Sequence, residues 1–131
     1  MALSPRGGNL QTAILESDAT IAAGHMGFLD SDGRVSAITT ANTGDIVIAT
    51  KDVVDGDVAA FWTDGDFNAP SGNGTAGALA SGAVVYADTS TDFDAGSTND
   101  IPAGIVIGPS ASNAAGADLH IRLRPGLPAK S

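Results

Sequence analysis

Cysteine is absent from this chain of 131 residues, so it can hold no disulfide framework, zinc-thiolate site or thiol nucleophile. Aromatic residues are almost as scarce, with one Trp, one Tyr and four Phe. Hydrophobic residues make up 43% of the chain, or 56, but 23 of these are alanine, which leaves 33 larger apolar side chains. Leu, Ile, Val and Phe together number 29, just above the level at which a chain of high net charge is expected to stay disordered. The core should be thin, with hydrogen-bonded sheet and subunit contacts completing its stability. No apolar run approaches the ~20 residues of a membrane span, and Met1 to Arg6 lacks the apolar stretch of a signal peptide. The expectation is a soluble protein made in a cytoplasm. Basic residues are few: 6 Lys and Arg against 15 Asp and Glu give a net charge of −9. Such a surface repels phosphate, which argues against nucleic acid and anionic membranes as partners.

The charge is segregated. All 15 acids fall between Glu16 and Asp118, a stretch with only Arg34 and Lys51 as bases, so the middle carries −13. Residues 1–15 carry only Arg6, and residues 119–131 carry Arg122, Arg124 and Lys130 without an acid. This asymmetry points to two surfaces with different roles, or to ends that fold back on an acidic body. Aspartate outnumbers glutamate 14 to 1, a bias that turn chemistry explains, because Asp accepts hydrogen bonds from its own backbone in tight turns.

Apolar residues recur with period two or in short runs bounded by Gly, Asp, Asn and Ser. Strands are predicted at 25–29, 34–39, 45–50, 57–63, 83–87, 104–108 and 119–124. Asp32-Gly33, Asp55-Gly56 and Asp64-Gly65 each separate two such runs and supply the positive φ of hairpin turns. No helical pattern of ten residues survives; Ala76 to Ala80 is one or two turns at most. The fold class is therefore all-β, a compact small β-barrel or β-sandwich with little helix. Residues 1–18 are read as an extended N-terminal arm, 19–125 as a single β domain and 126–131 as a C-terminal tail. Residues 88–100 form a polar loop near the length limit for compact domains, and 109–116 a shorter one.

No catalytic constellation emerges. Gly72-Asn73-Gly74-Thr75-Ala76-Gly77 matches a dinucleotide fingerprint, but Pro70-Ser71 precedes it where a strand is needed and Gly82 breaks the helix that should follow. No cofactor is expected. Asn73-Gly74-Thr75 is a glycosylation sequon without a secretory route. Asp30-Ser31-Asp32-Gly33 opens like a calcium loop, then departs from it; a site shared by Asp30, Asp32, Asp64 and Asp66 stays open beside solvated hairpin tips. His25 and His120 lie in predicted strands without neighbouring ligands and are read as structural. In Leu119 to Arg124, alternation puts Leu119, Ile121 and Leu123 on a core face and His120, Arg122 and Arg124 on the other. That basic face serves either the chain's own acidic body or a neighbouring subunit, or it docks on an acidic partner.

The order of these features resembles the head-decoration, or capsid cement, proteins of tailed phages. The resemblance runs from about Ala19 to Pro125. It rests on Ala22-Ala23-Gly24, on Val58 to Phe67 with its Phe61-Trp62-Thr63-Asp64-Gly65 segment, and on Ser81 to Asp88 with Val85-Tyr86-Ala87-Asp88. It continues through Ala103 to Gly108 and the closing Leu119-His120-Ile121-Arg122-Leu123-Arg124-Pro125. The 88–100 loop and the N-terminal segment are longer than the pattern. The resemblance implies a homotrimer on the outer surface of an icosahedral head, clamping the major capsid protein, with no enzymatic activity. Leu3, Arg6, Leu10, Ile14 and Leu15 would then contact the capsid, in an arm that lies across it or adds to a sheet edge, and His120, Arg122 and Arg124 would serve a subunit interface or docking. The other function class considered is a carbohydrate- or receptor-binding β module of a tail fibre or surface appendage, which would need clustered exposed aromatics.

Overall fold

The computed structural model describes residues 3–38, 44–69, 82–87, 89–91, 93–94, 101–108 and 119–127. These hold strands β1 (Ser4–Glu16), β2 (Met26–Leu29), β3 (Val35–Ala37), β4 (Ile46–Ala49), β5 (Val58–Ala69), β6 (Val84–Ala87), β7 (Phe93–Asp94), β8 (Pro102–Gly108) and β9 (Leu119–Leu123). They form one antiparallel sheet in the order β3-β2-β4-β5-β9-β8-β6-β7, with β1 along the other edge of β5, curled into a half-barrel. The described residues contain no helix, and the fold is all-β.

The curl has two cores, one on each face. The larger gathers Leu3, Met26, Phe28, Ile46, Ile48, Phe67, Val85, Ile101, Val106, Ile121 and Leu123; the smaller gathers Ile21, Val35, Val47, Ala49, Val53, Ala59 and Phe61. Strand alternation explains the split. Ile46 and Ile48 of β4 point one way while Val47 and Ala49 point the other, so this Ile-Val-Ile-Ala run is buried on both faces. The smaller core is roofed by the chain around β1 and β2. Ser17 bridges Val35, and Ile21 and Val53 exchange backbone hydrogen bonds of 3.0 and 2.9 Å.

Three expectations change. First, residues 4–16 have a partner: β1 pairs with β5 from Ser4↔Asn68 to Glu16↔Val58, so the arm is the edge strand of the sheet. Periodicity did not mark it because a bulge at Gly8, Asn9 and Leu10, opposite Gly65, breaks its alternation. Second, Asp32-Gly33 and Asp55-Gly56 do sit in turns, but Asp64-Gly65 lies inside β5. There φ of +123° at Gly65 reverses the strand's faces. Phe61 thus enters the smaller core, while Trp62 and Phe67 meet edge to face on the larger side at 5.5 Å. Third, a two-residue strand, β7, falls within the expected 88–100 loop and pairs with β6. The dinucleotide-like 72–77 segment, the short helical stretch 76–80 and the 109–116 loop lie outside the described residues.

The β2–β3 turn shows what the Asp bias does. Asp30 Oδ1 accepts from the backbone N–H of Asp32 (2.9 Å) and Arg34 (3.1 Å), and Oδ2 accepts from the Ser36 hydroxyl at 2.6 Å. The Ser36 hydroxyl first, then the Arg34 amide, holds the Asp30 carboxyl below its ordinary pKa. These bonds fold a turn. Asp64 and Asp66 lie on β5, and no group of three or more acid or His side chains comes together among the described residues. The structure therefore does not assemble the calcium site considered from the sequence.

Candidate functional site

The charged face of β9 is where the chemistry collects. The register pairs Gly65↔Leu123, Asp66↔Arg122 and Asn68↔His120, which seats the Asp66 carboxylate between two cationic or donor side chains. Arg122 Nε donates to Asp66 Oδ1 at 2.8 Å and Nη2 to Oδ2 at 3.3 Å; His120 Nε2 donates to Oδ2 at 2.8 Å. The Asp66 side chain is 10% exposed whereas that of Arg122 is 52% exposed, so the ion pair reaches from the protein into solvent. The Arg122 hydrogen bond, the largest influence, holds the Asp66 carboxyl below its usual range; burial opposes this, and His120 reinforces it. The same contact raises the Arg122 pKa. Gly8 of the β1 bulge covers the carboxylate: a Cβ there would lie 3.0 Å from Asp66 Cγ.

Of the two uses foreseen for the basic face, His120 and Arg122 serve the chain's own acidic body. Arg124 does not. It is exposed and makes no ion pair among the described residues. It borders a cleft of about 230 Å³ with Asn9, Asp64, Gly65, Asp66, Arg122 and Leu123. Asp64 also makes no ion pair among the described residues, so the cleft offers a free guanidinium and a free carboxylate.

The five N-terminal residues expected to contact a capsid divide. Leu3 is 3% exposed in the larger core, and its N–H donates to Gly24 O at 2.8 Å, so it is a fold residue and not a surface contact. Leu15 is half-buried against the smaller core. Arg6, Leu10 and Ile14 reach solvent, Leu10 at 39% and Ile14 at 69%. Ile14 faces Ala60 across the ladder, and Val58, two residues along, is 61% exposed. Cross-strand partners share a face, so Ile14, Val58 and Ala60 lie on the face that carries Trp62. The same face carries Thr12, opposite Trp62, and Glu16, opposite Val58 and paired with Arg34 at 3.5 Å. Val58 was not singled out in the sequence, because only the β1–β5 register reveals that its side of the strand has no cover.

His25 is half-buried, and its Nδ1 lies 3.1 Å from Ser90 Oγ, while Met26 N donates to Ser90 O at 2.6 Å. Together they pin residues 89–91 against β2. His25 forms no ion pair with a carboxylate among the described residues. No protein-family model matches the chain, and no curated protein matches it in sequence.

Proposed function

We propose that the chain is a structural binding protein: a homotrimeric capsid decoration protein on the outer surface of an icosahedral phage head, reinforcing the lattice of the major capsid protein. The observation that carries this reading is the pair of exposed aliphatic side chains, Ile14 and Val58, on the β1–β5 ribbon. Two adjacent large aliphatic side chains, each more than three-fifths exposed, suit a protein partner better than water. The kind of partner proposed comes from the resemblance of the order of the chain's sequence features to that of phage cement proteins. A protein that binds only the assembled lattice stabilises it by linkage, with no chemistry required. The virion would be its place of action and the host cytoplasm its place of synthesis.

The carbohydrate-binding alternative needs aromatic platforms at the surface. Phe28, Phe61, Phe67 and Tyr86 are buried, and Trp62 packs against the larger core, so these rings are committed to the fold.

Co-sedimentation with empty expanded heads of the cognate phage tests the proposal. Wild-type protein should pellet with heads and raise their rupture temperature. Ile14→Glu should remain folded, since the side chain is already exposed, yet lose head binding at least about tenfold, the scale of a lost apolar contact at an interface. Equal binding of wild type and Ile14→Glu would remove this pair from the contact. No binding by wild type would overturn the reading.

A further inference from the structure

Three side-chain oxygens meet where the chain leaving β1 runs beside the β2–β3 hairpin. Ser36 Oγ of β3 lies 2.6 Å from Asp30 Oδ2 and 2.9 Å from Asp18 Oδ2. The backbone brings the three residues there. Asp18 N donates to Val35 O at 2.9 Å beside the parallel Ser17–Val35 bridge, Asp30 N donates to Arg34 O at 2.8 Å, and Ser36 pairs with Phe28 of β2. All three side chains start from fixed points.

The meeting is one hydrogen short. A serine hydroxyl carries one, and an ionised carboxylate carries none. Asp30 Oδ1 already accepts from the N–H groups of Asp32 and Arg34, and 2.6 Å is the length of a charge-assisted bond, so the Ser36 hydrogen belongs to Asp30 Oδ2. With Asp18 ionised, the 2.9 Å contact from Ser36 Oγ to Asp18 Oδ2 then sets lone pair against lone pair. No cation offsets the two carboxylates among the described residues. Arg34 turns to Glu16, Nε to Oε2 at 3.5 Å. The other charged neighbours are acids: Asp32 in the same turn, and Asp57, whose carbonyl accepts from Ser17 N while its carboxylate accepts from Val54 N.

We propose that Asp18, Ser36 and Asp30 form a proton-operated clasp, in which one proton taken from water onto Asp18 supplies the missing hydrogen and fastens the β2–β3 hairpin to the chain after β1. Asp18 O–H then donates to Ser36 Oγ, the Ser36 hydroxyl donates to Asp30 Oδ2, and the charge of the group falls from −2 to −1. The Ser36 hydroxyl first, then the Arg34 amide, keep the Asp30 carboxyl below its ordinary range; desolvation opposes them, and the Asp32 amide and the Asp18 side chain add to them. Asp30 is thus the ionised end of the relay. The clasp closes as pH falls from 7 to 4 and opens again in stronger acid, where Asp30 also takes a proton. It is independent of the capsid reading.

Hydrogen exchange tests the clasp. The reporters are the amides of residues 18 and 30, bonded to Val35 O and Arg34 O, and the control is the Ala49 amide of β4, bonded to His25 O. In wild type, protection of the reporters relative to Ala49 should rise at least about threefold from pH 7 to pH 4, the scale of one net hydrogen bond. Asp18→Asn carries a permanent N–H donor in place of the proton, so it should show the raised protection at pH 7 and no further rise at pH 4. Ser36→Ala removes the shared oxygen and should abolish the rise. Wild-type reporters that do not change between the two pH values would overturn the proposal, as would an Asp18→Asn protein no better protected than wild type at pH 7. Should the variants fail to fold, carboxyl-carbon NMR of wild type decides: Asp18 and Asp30 should respond together to one proton, and two independent titrations would overturn the clasp.

Discussion

Asp66 is the residue on which the charged face depends. Its carboxyl is held low by Arg122 and His120, and the sign of the linkage follows. A carboxylate whose folded pKa lies below its unfolded value of about 3.9 adds stability that is complete above that value and is lost as pH falls through the folded one. Stability should therefore fall below about pH 4, and Asp66→Asn should flatten that part of the profile in urea melts taken from pH 7 to 3. At pH 7 the same variant should cost about 1 to 2 kcal/mol, a modest figure because half of the Arg122 side chain is in water. Gly65 is a second such residue. Its φ is +123°, and a Cβ would come within 2.5 Å of Leu10 Cδ2 and 3.0 Å of Leu10 Cα. Gly65→Ala should destabilise by about 1 to 3 kcal/mol in the same melts, through backbone strain and crowding of the β1 bulge.

Among the elements, β1 departs most from its sequence reading. Read from the sequence as an extended arm, it carries the longest ladder in the sheet and plants Leu3 in the larger core. Leu3→Ala should cost about 2 to 4 kcal/mol. Hydrogen exchange should show the start of β1 losing protection before β4 does, because β1 has only one paired edge among the described residues. Removing residues 1–15 entirely should strip β5 of one edge and lower the folding midpoint, so loss of head binding in that deletion cannot be read apart from stability. The β8–β9 pair has its own marker in Gly104, where a Cβ would run into the Arg122 carbonyl oxygen. Gly104→Ala should destabilise by about 1 to 3 kcal/mol and, by shifting β9, loosen the Asp66 contacts, seen as a smaller pH dependence between 4 and 3.

At the scale of the molecule, the −9 charge is unevenly placed: Asp55 and Asp57 stand in the turn before β5, and Arg122 and Arg124 lie beside Asp64 and Asp66 near its other end. Light scattering should give about 39 kDa for three copies of 12.9 kDa. If charged contacts hold the trimer, raising salt from 0.05 to 1 M should shift the equilibrium toward smaller species, as the screening length shrinks from above 10 Å to about 3 Å. A mass that does not change with salt would place the trimer's strength in apolar contacts.

The sequence alone was enough for the all-β class, for most strand positions and for the two faces of β9, because period-two alternation and Asp-Gly turns are local and act within a few residues. It also placed His120, Arg122 and Arg124 on one face. Their partner was not legible: Asp66 lies more than fifty positions away, and only the β5–β9 register brings it to them. The same limit hid β1, whose bulge breaks the pattern, and the role of Gly65, whose positive φ serves a turn and a face reversal equally well. Local pattern decides which segments extend and which side chains avoid water. Pairing between distant strands decides which edges remain open and which charges, like those of Asp66 and Arg122, are neutralised.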